Sequence, residues 1–518
     1  MTYVPVSAEE THILAVIALT GQTLYYADAN LSMSDGKYYE GRLEVGNLSR
    51  AFSSWTEPKQ RQSTLTMTLK DNDGTIRDLI DTYTWGTHMV SIYVGRGRNL
   101  ADYILDFEGI IKFPGGISYD NHRVTVRLRD ARDRDKVTLP GNKFLTADYP
   151  NLEEKKIGNP IPVVYGDWSD TAIPAACTDT TVNEFTIADH AIKSIVQVYK
   201  NGSPVAHTNE DLAAATFRIA AYAPGTDVVT VKCQGKTDSG ILITHPVHIL
   251  YDIQTVLLGI DTGDIDTDSY NDLEDELLEF TARRVINSDS SSDALIEELA
   301  IECGFDLTVE NGLYTVTSRM PRIAYDTLYD ETNVKADSMA VDYDPEGLYA
   351  NYLEGNYAWD PANEIYLSQT IAENIDQQAE VGAVSRTINY NWLYTEADVL
   401  TTLGRMILLY SIEIRVVRFT GLGEAILEQI GNRVGLTFAN FTERPLLLRE
   451  TGKNFKRRSC DLSGYDVLSF AYPGYWTGDD APNWDDATEA QRASQGFCTD
   501  DNGCAKVGDN TSKKSHWW

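Results

Sequence analysis

Apolar and polar residues alternate in short runs over the first 150 residues. The clearest runs are Ser63–Leu69, Met89–Val94, Tyr103–Lys112 and Arg123–Leu128, and glycine or Asp/Asn turns separate them. Because a strand points successive side chains to opposite faces, each run predicts a strand with one face toward a core. Short strands at this spacing are typical of a small barrel or sandwich. We therefore predict an N-terminal β domain over residues 1–150.

A second β region follows, and its composition differs from the first. It is rich in Thr, Ala and Val, has few charges, and shows strand-like runs at Phe185–Ile187, Ser194–Tyr199 and Val228–Cys233. The turn Asn201-Gly202 directly after the second run supports this interpretation. We therefore predict an inserted β domain over residues 151–244.

Apolar residues at helical spacing first appear after residue 244. The predicted elements are helices over Pro246–Leu258, Asn271–Arg284 and Asp293–Cys303, followed by a hairpin of Phe305–Val309 and Leu313–Thr317. Asn-Gly between the last two runs is a strong hairpin signal, and Pro246 suits a first helical turn. Residues 245–324 therefore predict a small helical α+β domain.

The last large region mixes strands with one strong helix. Thr395-Glu396-Ala397-Asp398 resembles a capping box, and the apolar residues after it predict a helix over 396–410. We assign residues 325–472 to a second β domain and residues 473–518 to an irregular, Trp-rich tail. The predicted fold class is mainly β with α+β parts, in a multi-domain chain.

Composition and charge exclude several functions. The chain has 518 residues, with 44 Lys and Arg against 77 Asp and Glu, so its formal net charge is −33. A general nucleic-acid coat or a protein that docks on anionic lipid needs a basic surface. The 29 tyrosines favour strands and surfaces that meet other proteins.

The apolar runs and the cysteines indicate assembly in a cytoplasm. The run Ile13–Leu19 is far shorter than the roughly 20 residues of a spanning helix, and the first positive charge is Lys37. Six scattered cysteines are too sparse for a disulfide scaffold. Only Cys498 and Cys504 are close in sequence, and whether they pair stays open.

The most metal-like pattern is a run of alternate acids, with Asp264, Asp266 and Asp268 as candidate ligands. It resembles the start of a calcium loop, but its sixth position is Ser269 and its twelfth is Asp275. A solvated acidic loop before a helix is the preferred interpretation. No nucleophile, phosphate-loop or dinucleotide motif is complete, so we predict no catalytic residue, no cofactor and no enzyme activity.

Two basic clusters stand out against the acidic background. The candidate residues for subunit or partner contact are Arg123, Arg127, Arg129, Arg132, Lys456, Arg457 and Arg458. Acids are interleaved with the first cluster, which argues against a nucleic-acid stripe. A complementary contact with another subunit and a plain solvated edge are both consistent with the pattern.

Several stretches together resemble the tail hub (baseplate hub) proteins of tailed bacteriophages of the siphophage type. They are Tyr38–Leu43, Leu65–Gly74, Ser91–Gly95, Asp106–Ile111, Ile161–Gly166, Asp293–Thr317, 396–419 and Gly421–Leu436. The resemblance covers nearly the whole chain through short, degenerate motifs. It implies two hub-type β-barrel-like domains with an inserted β domain and a small α+β domain.

The resemblance also implies a function and a set of partners. A hub is a homotrimeric virion protein, assembled in the host cytoplasm, that joins the tail tube to tip or fibre proteins. Its implied partners are distal tail or tube proteins, the tape-measure protein and the tip or fibre proteins, with DNA only in transit and no membrane. A negatively charged channel would repel DNA phosphates and let the genome slide.

A receptor- or glycan-binding tail tip protein is the alternative from another class. Its candidate aromatic residues are Trp476, Trp484, Trp517 and Trp518, because aromatic faces stack on sugars. A cell-wall-degrading tail enzyme is a third class, and it lacks any catalytic constellation in the sequence.

Overall fold

The structure is a computed structural model of the full chain. It describes residues 10–52, 63–131, 136–278, 280–310, 312–319, 325–439 and 441–467, and it gives the strand pairing alone of three two-residue strands, Tyr475–Trp476, Phe497–Cys498 and His516–Trp517. The described chain is mainly β and divides into several sheets and cores. This confirms the predicted fold class.

The N-terminal part contains an eight-stranded antiparallel sheet with the strand order β2-β1-β8-β9-β11-β7-β5, in which β10 pairs with β11, and a separate two-stranded sheet of β3 and β4. Its elements are β1 (His12–Leu19), β2 (Gln22–Ala27), β3 (Leu31–Ser32), β4 (Tyr38–Tyr39), β5 (Leu43–Val45), β6 (Leu48–Ala51), β7 (Thr64–Lys70), α1 (Thr75–Thr82), β8 (Met89–Gly95), β9 (Tyr103–Ile111), β10 (Ile117–Asp120) and β11 (Arg123–Asp130). Alternate apolar residues such as Val124, Val126 and Leu128 face its core.

The inserted part contains two smaller antiparallel sheets around a core of their own. The strands are β12 (Thr138–Leu139), β13 (Val163–Tyr165), β14 (Ile173–Pro174), β15 (Ala176–Asp179), β16 (Glu184–Thr186), β17 (Ile192–Lys200), β18 (Ser203–Val205), β19 (His207–Asp211), β20 (Thr216–Ile219), β21 (Val229–Asp238) and β22 (Ile241–Leu242). One sheet has the order β14-β21-β17-β18, with β22 beside β21, and the other has the order β15-β16-β20-β19. Phe185 and Phe217 stack in the core at 5.5 Å.

The helical part packs three helices against a hairpin. Its elements are α2 (Pro246–Asp252), α3 (Thr267–Glu276), β23 (Arg284–Ile286), β24 (Ser290–Ser291), α4 (Ser292–Cys303), β25 (Phe305–Glu310) and β26 (Leu313–Ser318). The predicted third helix, α4, and the hairpin of β25 and β26 are confirmed. Gly304, at φ 77°, ends α4 and leads into the hairpin.

The C-terminal part contains a seven-stranded sheet and a three-stranded sheet. The elements are β27 (Thr327–Tyr329), β28 (Ala340–Tyr343), β29 (Tyr352–Asp360), β30 (Ile365–Glu373), α5 (Ile375–Val381), β31 (Ser385–Asn389), α6 (Glu396–Tyr410), β32 (Arg415–Leu422), β33 (Arg433–Leu436), β34 (Arg444–Asn454) and β35 (Ser459–Asp466). The larger sheet has the order β27-β33-β34-β35-β32-β28, and the smaller has β30-β29-β31. The predicted helix over 396–410 is confirmed, and the Thr395 hydroxyl caps it by accepting the N–H of Asp398.

The two large sheets are tied together by a strand that crosses between them. β6 follows β5 of the N-terminal sheet, yet it pairs antiparallel with β34 of the C-terminal sheet. Among the described strands, neither large sheet closes into a barrel. The boundaries predicted at residues 150, 244, 324 and 472 stay predictions.

One predicted helix is wrong in its second half. The helix expected over Asn271–Arg284 ends at Glu276, and Arg284 begins β23. Tertiary contacts explain the early end, because the Arg283 side chain is buried between the rings of Trp168 and Tyr394 and donates to the backbone oxygen of Asp167. Local charge patterning could not show that this arginine has distant partners.

The short helix α1 was not predicted, and a buried carboxylate explains why it forms. Asp71 accepts the backbone N–H groups of Ile76 at 2.9 Å and Arg77 at 3.2 Å. The nearby Asp73 forms a two-point ion pair with Arg42. In the Asp71–Gly74 turn, one acid therefore caps the start of α1 and the other binds an arginine.

We predict that Asp71→Ala lowers the free energy of unfolding by about 2 kcal/mol, because it leaves two N–H groups of α1 without an acceptor. Asp78→Ala is the matched control. Asp78 lies on the same helix with an exposed side chain, so its loss changes the same quantity by less than about 0.5 kcal/mol. Urea denaturation followed by circular dichroism measures both. Equal effects of the two variants would contradict the role of Asp71.

Candidate functional site

The N-terminal and C-terminal sheets meet at a buried cluster of charges around Asp106. β9 supplies Asp106, β6 supplies Arg50 and β34 supplies Lys453. Asp106 Oδ1 lies 2.6 Å from Lys453 Nζ and 2.9 Å from Arg50 Nη1, and it accepts from Gln429 Nε2 at 2.9 Å. All four side chains are buried. Buried charges are tolerated only when they are paired, so the cluster fixes the position of one sheet on the other.

Burial and charge act in opposite directions on Asp106. Burial raises the pKa of this carboxyl group, but Lys453 and Arg50 outweigh it and lower the pKa to about 2. Burial also lowers the pKa of Lys453, against the attraction of Asp106. Arg50 and Lys453 share the carboxylate of Asp106. Removal of this carboxylate therefore leaves two buried positive charges uncompensated, more than removal of either cation would leave.

A second buried charge cluster also involves β34, the strand that holds Lys453. Asp306 of β25 is bound by Arg319 Nε at 2.9 Å and by the guanidinium of Arg449 on β34. Arg449 also lies 3.8 Å from the centre of the Phe52 ring, directly after β6. Through its inward side chains, β34 therefore contacts both the N-terminal part and the helical α+β part.

Sequence reasoning missed both buried clusters, although one signal was present. Asp106 is the only acid flanked directly by apolar residues on both sides within the run Tyr103–Ile111. An isolated carboxylate in an apolar strand requires a buried partner. The partners could not be identified from the sequence, because Gln429 is more than 300 residues away along the chain.

The first predicted basic cluster lies on the exposed face of β11. Arg123, Arg127 and Arg129 alternate with the buried residues of this strand. Arg123 approaches Glu44 at 3.8 Å. Among the described residues, no carboxylate lies within 4.0 Å of Arg127 or Arg129, and Arg127 donates only to the backbone oxygen of Gly115. We call Arg123, Arg127 and Arg129 the basic face.

The structure divides the second predicted basic cluster. Lys456 and Arg457 are exposed at the turn between β34 and β35, whereas Arg458 lies 3.8 Å from Asp28 of the N-terminal part. Lys453, just before them, is the buried partner of Asp106. A contact of Lys456, Arg457 and Arg458 with another subunit stays a prediction.

Some predicted site residues lie outside the described residues. They are Arg132, Trp484 and Trp518, and the side chains of Trp476 and Trp517 are likewise outside the description. Their roles as contact residues or receptor-binding aromatics stay predictions.

The candidate acids Asp264, Asp266 and Asp268 take different places around the start of α3. Asp264 ends a short 3-10 turn, Asp266 precedes α3, and Asp268 lies in its first turn. In the part of the chain that the structure describes, no three His, Cys, Asp or Glu side chains are grouped to hold a metal ion. The described helices also include none with the length and apolar character to cross a membrane.

We predict that Asp106→Ala lowers the free energy of unfolding by about 3–5 kcal/mol, because Arg50 and Lys453 remain buried without a counter-charge. Asp120→Ala is the control, since Asp120 is an exposed acid of the same sheet. Chemical denaturation of the full chain measures both. A loss below about 1 kcal/mol for Asp106→Ala would show that the cluster does not hold the sheets together.

The lowered pKa of Asp106 predicts an acid dependence with a definite sign. The unfolded carboxyl group titrates near 3.8 and the folded one at about 2, so its stabilising contribution is complete above about pH 4 and is lost as the pH falls toward 2. The difference in unfolding free energy between the wild type and Asp106→Asn should be constant from pH 5 to 7 and shrink by about 2 kcal/mol near pH 2. A difference that changes around neutral pH would contradict this assignment.

No protein-family model and no curated protein sequence matches this chain. Its structure is similar to solved tail proteins at low identity. A tail protein from Neisseria meningitidis has a TM-score of 0.40 and 9% identity and covers 89% of this chain and 99% of its own. A 43 kDa prophage tail protein from Shewanella oneidensis has a TM-score of 0.39 and 12% identity, and the match covers 89% of this chain and 100% of its own.

A prophage tail protein from Listeria monocytogenes has a TM-score of 0.38 and 10% identity, covering 88% of this chain and 94% of its own. At these values, the function has to be argued from the residues of this chain. All three of these solved structures are named as tail proteins, and two of them are named as prophage proteins.

Proposed function

We propose that this chain is a structural subunit of a phage tail, placed in the hub ring at the distal end of the tail tube. In this role it joins the tube to tip or fibre proteins as a homotrimer, in contact with distal tail and tape-measure proteins. The role needs no catalysis. The main support, beside the sequence resemblance, is the basic face on a chain whose net charge is −33.

The basic face has the properties of an unfilled contact surface. Arg127 and Arg129 stand opposite Thr66 and Thr64 of β7, so a row of arginines runs beside a row of threonines on this face of the sheet. The guanidinium groups of Arg127 and Arg129 have no carboxylate within 4.0 Å among the described residues, and they favour an acidic partner because Arg binds carboxylates at two points. In an assembly of identical acidic chains, the next copy supplies such a surface.

We assign the partner surface on the next copy to β30 and its neighbours. The outward row of β30 holds Leu367 and Ile371, which are 52% and 44% exposed, and Glu354 of β29 stands directly opposite Ile371 on the same face. Glu373 and Asp376 extend the acidic surface and are exposed. We call Glu354, Glu373 and Asp376, with the outward row of β30, the acidic face.

The open edge of β30 also supports assembly. Among the described strands, only β29 pairs with β30, so the other edge of this nine-residue strand has unpaired backbone groups. Folded chains usually protect such edges with Lys, Pro or a bulge, and β30 contains neither Lys nor Pro. A contact between the basic face of one copy and the acidic face of the next joins two different surfaces, and such contacts form a ring when the rotation between successive copies closes.

The overall charge fits passage of DNA through such a ring. With 77 acids against 44 bases, a channel bordered by this chain would be negative on average. Negative walls repel phosphates and prevent the genome from sticking during ejection. This part of the proposal concerns transit alone, and it requires no DNA-binding site.

We expect the purified chain to form rings with the mass of three copies, and Arg127→Glu with Arg129→Glu to shift it toward monomer by at least tenfold in dissociation constant. Lys193→Glu with Lys335→Glu is the control, because it changes the charge equally at exposed sites elsewhere. Glu373→Lys with Asp376→Lys should restore assembly of the doubly reversed chain. Mass photometry and negative-stain microscopy measure the result.

Three outcomes would contradict the proposal. They are a wild-type chain that stays monomeric at all concentrations, equal losses in the reversed and control variants, and absence of the chain from purified phage tails by mass spectrometry. If the reversed variant dissociates but the acidic-face reversal does not rescue it, the ring stands and the acidic face is the wrong partner surface.

A further inference from the structure

A small polar cavity lies between the helical α+β part and the three-stranded sheet of the C-terminal part, and its lining shares no residue with the basic face or the two buried charge clusters. Its volume is about 220 Å³, and it opens between the segment after β23, the start of α4 and the turn that joins β29 to β30. The side chains that matter are those of Arg284, Asn287, Ser290, Trp359, Glu364 and Asn391. None of these residues was singled out by the sequence.

We propose that this cavity binds a single neutral sugar ring. Trp359 supplies an aromatic surface for the C–H face of a pyranose, as aromatic side chains do in ligand sites with one apolar and one polar side. The remaining lining offers donors from Arg284, acceptors from Glu364, and both from the amides of Asn287 and Asn391. Sugar hydroxyls both donate and accept, so they match this mixed set.

One donor in the cavity lining lacks a partner. Nη2 of Arg284 pairs with Glu298 at 3.2 Å, whereas its Nη1 is buried and has no hydrogen-bond partner in the described structure. Buried donors are almost always satisfied. Nη1 has almost no accessible surface, so a ligand in the cavity would meet the other polar groups of the lining instead.

The charges around the cavity argue against an anionic ligand, and its single aromatic ring argues against a quaternary ammonium ligand. Glu298 already neutralises Arg284, and the carboxylate of Glu364 adds a negative charge to the lining, so an anion would meet net repulsion. A quaternary ammonium ligand needs a cage of several aromatic rings. Trp359 is the one aromatic side chain in this lining. A neutral polyol remains as the ligand class that the lining fits.

The cavity is also fixed in position before any ligand arrives. Tyr366 packs against Trp359 at 4.9 Å and donates from its hydroxyl to Asn391 Oδ1 at 2.8 Å. Glu302 of α4 accepts the backbone N–H of Asn391 at 2.7 Å. Side chains that are held by their neighbours lose little entropy when they bind.

The turn that presents Glu364 is similarly ordered. Asp360 accepts the N–H groups of Ala362 and Asn363, and Glu364 itself adopts a left-handed conformation with φ 55°. A non-glycine residue in this conformation costs about 1–3 kcal/mol, and such residues cluster at ligand sites. The volume of the cavity suits one ring and no more, since it lies below the usual range for larger ligands.

Saturation-transfer NMR on the full chain tests the proposal, with D-glucose, D-galactose, N-acetyl-D-glucosamine and L-rhamnose as probes at millimolar concentration. Choline chloride and sodium acetate represent the cationic and anionic rivals. We expect transfer to at least one sugar and none to choline or acetate. Transfer to no sugar, or to choline or acetate in preference, would overturn the proposal.

Variants then locate the binding. Trp359→Ala should reduce the affinity for the bound sugar at least tenfold, and Asn287→Ala and Glu364→Gln several-fold. The last two side chains are exposed, so these variants keep the test valid if Trp359→Ala fails to fold. Asn389→Ala, an exposed amide of β31, is the control and should bind as the wild type does. Sugar binding that survives both Asn287→Ala and Glu364→Gln unchanged would place it elsewhere and overturn the assignment.

Discussion

The architecture depends on one carboxylate that two cations share inside the protein. Asp106 lies where the N-terminal sheet meets the C-terminal sheet, and it is held by Arg50 and Lys453. A charge triad of this kind is costly to bury, and its members tolerate little displacement. The two sheets, formed from opposite ends of the chain, therefore have one relative position in which the charges are compensated.

The strand β34 extends this constraint to the rest of the molecule. One of its edges pairs with β6, which reaches over from the N-terminal part, and its inward residues bind Asp106 and Asp306. The main-chain hydrogen bonds to β6 fix the direction and register of the two strands, while the two ion clusters fix how the packed parts of the chain lie on β34. Three parts of the chain are thus joined at a single strand.

Charge has opposite uses inside and outside this protein. Inside, Arg50, Arg449 and Lys453 are satisfied by carboxylates, and they hold the parts of the chain together. Outside, Arg127 and Arg129 remain without an acidic partner among the described residues, on a chain that is otherwise strongly acidic. The first arrangement stabilises the subunit, and we propose that the second is completed only by assembly.

The sequence by itself determined the local elements whose signals are contained in one segment. The helix over 396–410 followed from its capping box and apolar spacing, and the hairpin after α4 followed from Asn-Gly between two alternating runs. The exposed row of arginines on β11 also followed from the alternation of polar and apolar residues along this strand. Tertiary structure alone decided that the helix predicted over Asn271–Arg284 ends at Glu276, that Lys453 is buried while Lys456 is exposed, and which distant side chains surround Asp106. These outcomes depend on contacts between residues far apart in the chain, and no local pattern records the burial of a charge or the identity of its partner.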